Sequence, residues 1–224
     1  LSNFTATSDN SGAKELWRGP WAGISRTNWI LTNIDKSPKI SDAKKTQYKG
    51  EAHFLRGLYY FNLVRLFGDV PWIDKQQTAS DDLQVSRTSK DIVYQHIIDD
   101  FSDAASMLPA VYENTTDIGR ATKGAAFGLL AKVYLTLKRY NETLVAIDSV
   151  MNLGVYSLNR KYEWNFSDLR ENGPESLFEV QYEKDVTAYS EFDILGQGGW
   201  HHEYMAPLAS INIGGPWGNF GWFA

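Results

Sequence analysis

The chain has 224 residues, 43% hydrophobic and 22% charged, an ordinary globular balance that excludes disorder as its main state. Its 22 basic and 27 acidic residues leave a net charge of −5, the wrong sign for a general nucleic-acid binder. The absence of Cys removes disulfides, thiol nucleophiles, iron–sulfur clusters and Cys-type zinc sites at once, and no apolar run of about 18 residues is available to span a bilayer as a helix.

The first two-thirds read as helices. Glu15 to Asp35 is expected to form one, with Pro20 near its first turn and Pro38 beyond its end. The next runs from about Asp42 to Phe67. There Tyr48, Ala52, Leu55 and Tyr59 recur at helical spacing beside a second stripe of Phe54, Leu58 and Phe61, so the buried face is wide. Tyr48, Leu55, Tyr59 and Phe61 are expected in the core. Gly68 stands where a helix C-terminal glycine belongs, and Pro71 follows. Gln76 to Ser86 is a polar loop. Thr88 and Asp91 have the spacing of a capping box for a helix lined by Val93, Ile97, Phe101, Ala104 and Leu108, which Pro109 stops. Asp99, Asp100 and Asp103 read as that helix's solvent face.

Asn114 to Thr122 is a loop before two helices joined by the short turn Lys138-Arg139-Tyr140-Asn141, which makes them an antiparallel hairpin closed by Gly154. Phe127, Leu130, Tyr134 and Leu137 line its first helix; Leu144, Ile147 and Met151 line its second. After Gly154 the texture changes. Ser176 to Tyr182 looks like a short strand or extended segment, and 185–224 is rich in Gly and aromatics without a period. Both ends read as cuts within a longer protein.

The hairpin at 124–153 resembles a tetratricopeptide repeat: Phe127, Leu130-Ala131 and Tyr134 fall in order, with Tyr140 at the turn. Thr143 departs from the usual alanine, leaving close helix packing there in question. Longer strings carry a more specific resemblance. EAHFLRGLYYFNLVRLFGDVPW (Glu51–Trp72), GRATKGAAFGLLAKVYL (Gly119–Leu135), NGPESLFEVQY (Asn172–Tyr182) and ELWRGPWAGISRTNWIL (from Glu15) are similar to blocks of SusD/RagB-type outer-membrane lipoproteins, in family order.

That resemblance implies a mainly α fold, an alpha-alpha superhelix of tetratricopeptide-like hairpins beside an irregular, loop-rich ligand-binding part. It implies one incomplete domain over 1–224, with a helical scaffold at 13–153 and a loop-rich part at 154–224. It also implies a non-catalytic nutrient-uptake protein, exposed on the outer membrane of a Gram-negative bacterium through an N-terminal lipid that this chain lacks. Such a protein binds a glycan, starch in the type system, or sometimes a peptide, and passes it to a SusC-like TonB-dependent transporter. No cofactor, metal or nucleic-acid partner is implied.

The residues offer chemistry that suits this. Eight Trp, 12 Tyr and 11 Phe make up 14% of the chain, and large amphipathic rings stack on the C–H faces of sugars while amides bond the edges. The ligand-binding candidates are Trp17, Trp72, Trp200, Tyr204, Trp217, Asn219, Phe220 and Trp222. Competing readings are a helical-repeat protein-interaction module, a peptide-binding relative and a glycoside hydrolase. The last needs two carboxylates flanking one bond; Glu171, Glu175, Glu183 and Asp185 are present, but no motif places them. His201-His202-Glu203 reads as a solvated loop, because adjacent side chains diverge and no spaced third ligand follows.

Overall fold

The computed structural model describes residues 11–181, apart from 79, 82–83 and 168–169. The chain divides into two units, 1–179 and 180–224. Trp200, Tyr204, Trp217, Asn219, Phe220 and Trp222, together with His201 to Glu203, Glu183 and Asp185, lie outside the described residues.

The first unit is mainly α. Its helices are α1 (Ser11–Asn33), α2 (Asp42–Phe67), α3 (Lys90–Met107), α4 (Lys123–Thr136) and α5 (Tyr140–Met151). Each packs on the next in the chain. Helix α1 begins four residues before Glu15, so Pro20 stands well inside it and not near its first turn. Proline at 20 leaves the Leu16 carbonyl without an intrahelical donor. Leu16 is exposed, and water can serve that carbonyl.

Helix α2 is the centre of the unit. The Ser41 side chain accepts from the Lys44 N–H at its start, and Gly68, at φ +70°, donates to the Val64 carbonyl at its end. Phe54, Tyr60, Phe61 and Leu63 are fully buried. Leu55 and Tyr59 are only partly buried against this core, and Tyr48 is likewise half-buried, so the deepest stripe runs through Phe54 and Phe61. Gly57 lets α3 approach: a Cβ there would stand 3.2 Å from the Phe101 ring.

The start of α3 departs from the expected capping box. Ser89 is the N-cap and makes no side-chain cap bond. Thr88 instead pairs with Val70 in an isolated antiparallel bridge, its N–H donating to the Val70 carbonyl at 2.9 Å. Asp69 supplies the acceptor for the Lys90 N–H, at 2.8 Å, from across the loop. The cap is therefore tertiary, because the bridge brings Asp69 to the helix start.

The Thr122 hydroxyl caps α4 by accepting from the Ala125 N–H at 3.1 Å. In α5 the expected apolar stripe faces outward. Leu144, Ile147 and Met151 are exposed, and the buried residues are Thr143, Ala146 and Val150. Smaller side chains let α5 lie close to α4. Thr143 fits because its hydroxyl donates to the Arg139 carbonyl at 2.9 Å. The segment 176–181 makes no ladder among the described residues. Phe178 instead packs edge-on to Phe54, with ring centroids 4.9 Å apart, and Leu177 rests over Gly128. Leu177 and Phe178 thus pack on the helices and not in a sheet, while Val180 is exposed.

Candidate functional site

The loop after α2 is the most heavily tethered part of the scaffold. The Tyr60 hydroxyl accepts from the Ile73 N–H at 2.8 Å and donates to the Ile73 carbonyl at 3.2 Å. Asn28, fully buried on α1, donates to the same carbonyl at 2.7 Å. Arg56 Nη1 donates to the Asp74 carbonyl at 3.1 Å and to Asn28 Oδ1 at 3.0 Å. The Gln76 N–H donates to Thr32 Oγ1 at 3.3 Å, and Asn33 donates to Gln76 Oε1 at 2.7 Å. Side chains from two helices thus satisfy a loop that otherwise has no ladder.

Behind this lies a buried ionic node. Arg56 grips Asp100 with two bonds, Nε to Oδ2 at 2.9 Å and Nη2 to Oδ1 at 2.7 Å. The paired side chains are 9% and 3% exposed. His53 Nδ1 lies 2.7 Å from the same Oδ1. Burial opposes the Arg56 charge, but hydrogen bonding and attraction from Asp100, with Tyr60 and Asp74 nearby, outweigh it and hold the guanidinium pKa above its usual value. Asp100 is therefore not on the solvent face of α3; only Asp99 and Asp103 are exposed. The spacing Val93, Ile97, Asp100, Ala104 puts it on the buried stripe, a signal that reading the acidic residues as one group concealed.

Trp72 sits on this loop. Its ring stacks on His96 at 4.4 Å and 9°, tilts against Tyr60 at 4.2 Å, and lies 5.4 Å from the Arg56 guanidinium carbon. Trp17 meets Trp21 and Phe67 edge-on at 5.3 and 5.0 Å. Both are half-buried and packed against the core. The two are engaged within the helical scaffold and linked through it, since Trp21 also meets the buried Tyr60 ring edge-on at 6.1 Å.

Among the described tryptophans only Trp29 is exposed, at 56%. It stands on α1 one turn before Asn33, whose amide nitrogen donates both to the Trp29 carbonyl at 2.9 Å and to Gln76 Oε1. Sequence reasoning passed over it as part of a helix motif.

A second node joins the Gly-Arg-Ala-Thr turn to α2. Arg120 bonds Glu51 Oε2 at 2.9 Å and Asp117 at 2.7 Å, and the Tyr112 hydroxyl donates to the Ala121 carbonyl at 2.8 Å. Burial and the neighbouring Glu51 carboxylate push the Tyr112 pKa up. A groove of about 240 Å³ opens beside it, lined in part by Val111, Ile118, Arg120, Tyr156 and Phe178. Glu175 is a structural staple: Oε2 accepts from the Asn159 N–H at 2.9 Å and from Asn165 at 3.1 Å. Among the described residues no three His, Asp or Glu side chains gather as a metal site, and no helix is long and apolar enough to cross a membrane.

Stacked helical hairpins carrying an aromatic, heavily tethered loop define a helical-repeat scaffold. The chain belongs to the SusD-like family: the family profile described as "Starch-binding associating with outer membrane" matches residues 2–135. It is 31% identical over 193 residues to a SusD-like protein of Bacteroides ovatus, covering 80% of this chain and 34% of that one. It superimposes on the crystal structure of a SusD-like protein from Bacteroides fragilis with a TM-score of 0.74 and 31% identity, over 81% of this chain and 36% of the other. A laminarin-binding SusD-like protein gives a TM-score of 0.68 and 29% identity, over 75% and 37%. The chain spans between about a third and two-fifths of the length of curated relatives it matches. The family is named for binding, not for catalysis.

Proposed function

We propose that the whole protein is a non-catalytic surface glycan-binding protein that captures oligosaccharide or polysaccharide and passes it to a SusC-like TonB-dependent transporter. It acts as a lipoprotein on the outer membrane of a Gram-negative bacterium. The observation that carries this reading is the family match, which runs through α1 to α4 and includes both tethered nodes. The relative described as laminarin-binding supports a glycan as the ligand class. Trp200, Tyr204, Trp217, Phe220 and Trp222, with Asn219, supply stacking faces and a hydrogen-bonding edge in this proposal, and Trp17 and Trp72 are further candidate ligand contacts.

The test is a titration of the full-length protein with soluble starch, laminarin and other soluble glycans, followed by tryptophan fluorescence, with product release scored in the same tubes. A saturable shift without hydrolysis is expected. No shift with any glycan, from a protein whose helical signal is intact, overturns the glycan reading in favour of a peptide or a protein-only partner.

A further inference from the structure

We propose that Trp29, with Thr32 and Gln76, forms a carbohydrate-binding platform on the α1 face. It rests on the glycan-binding reading above. An indole left 56% exposed is unusual for a residue whose large apolar surface is normally mostly buried. Here it stands beside groups suited to the edge of a sugar. Thr32 and Asn33 follow Trp29 by three and four residues, so all three share one helix face. The Asn33 amide ties the Trp29 carbonyl to the Gln76 side chain, and Lys36 Nζ donates to Asn33 Oδ1 at 2.9 Å, which fixes the orientation of that amide.

With Asn33 saturated, its neighbours are left with donors to spare. Gln76 uses its Oε1 to accept from Asn33, and among the described residues its Nε2 makes no hydrogen bond. Thr32 Oγ1 accepts from the Gln76 N–H, and among the described residues its own proton has no acceptor. A pyranose stacked on the indole presents hydroxyl and ring oxygens at its rim, which accept from these donors. The edge is also rigid. Gln76 belongs to the loop that Asn28, Arg56 and Tyr60 hold by its backbone, so little ordering is lost when a sugar arrives.

The experiment uses the full-length protein and the glycan of the panel that the wild type binds. Three variants are compared: Trp29→Ala, Trp29→Phe and Gln76→Ala. The ring is largely exposed, so melting temperatures should stay close to wild type. Trp29→Ala is expected to weaken binding about three- to tenfold, Trp29→Phe to restore most of it, and Gln76→Ala to give a smaller loss. Wild-type affinity in Trp29→Ala overturns the platform and leaves the glycan-binding reading standing. So does unchanged glycan affinity with loss of co-purification with the transporter, which assigns the face to a protein contact. A wild type that binds no glycan removes both.

Discussion

Removing one partner of the Arg56–Asp100 pair should cost far more than removing both. With Asp100→Leu, Arg56 keeps its bonds to Asn28 and Asp74 but loses both carboxylate contacts while its charge stays buried. Two unit charges at about 4 Å interact by about 4 kcal/mol at the effective dielectric of such sites, and breaking a buried pair from one side costs about 3–5 kcal/mol. Arg56→Met leaves the Asp100 carboxylate with only His53 and should cost a similar amount. In the double variant no charge is stranded. What remains is the Asn28 Oδ1, fully buried and short of its donor, at about 1–3 kcal/mol; the Asp74 carbonyl belongs to an exposed residue and turns to water, and His53, which also loses Asp100, has a part-exposed ring that water can reach. The double variant should therefore be more stable than either single one. Urea unfolding of the full-length protein, followed by far-UV circular dichroism, measures the coupling. Single losses below about 1 kcal/mol, or a double loss equal to the sum of the singles, would refute the reasoning.

Three further outcomes are expected. Burial raises the Tyr60 pKa, so the unfolded chain ionises this phenol near pH 10 while the folded one does not. Stability is then intact below about pH 10 and falls by up to about 1.4 kcal/mol per unit above it; Tyr60→Phe should flatten that alkaline slope in melting curves, at a cost of about 1–3 kcal/mol at neutral pH from the unpaired Ile73 N–H, since the Ile73 carbonyl keeps Asn28. A methyl at Gly124 would overlap the Tyr156 ring, whose hydroxyl shares a hydrogen bond with Thr122, so Gly124→Ala should destabilise by about 1–3 kcal/mol, and the penalty should shrink when Tyr156→Ala is already present. On α5, Leu144→Lys should change the stability of the 224-residue chain by no more than about 0.5 kcal/mol, while Ala146→Leu, at a buried position, should cost about 1–3; the reverse order in denaturation would sink the observed facing of that helix.

What the sequence disclosed well was local. The span of α2 and its glycine terminus depend on neighbours within a few residues, and both are found as read. What it concealed depends on distant chain. The cap of α3 comes from Asp69, 21 residues before the N–H it serves, and no capping-box pattern encodes that. Helix α5 carries its larger apolar residues outward because its buried line is set by how closely α4 lies, which favours Thr143, Ala146 and Val150. Asp100 was the opposite case: its position on the apolar stripe was visible, but its charge and its neighbour Asp99 argued for solvent.

The polar node and the exposed ring belong to one argument about the candidate site. A buried ion pair is weak evidence for stability, since well-packed apolar residues often serve as well. Arg56 and Asp100 do something that an apolar pair would not: with Asn28 and Tyr60 they meet the backbone polar groups of Ile73 and Asp74 from the core side. That frees the loop from folding back on itself to satisfy them, and it fixes Trp72 and Gln76 at set positions on either side of the tether. A loop held this way loses little entropy on meeting a ligand. The pair's distinct contribution is thus preorganisation at the surface. A loss of glycan affinity in the Arg56→Met, Asp100→Leu double variant, in molecules that remain folded, would join the two.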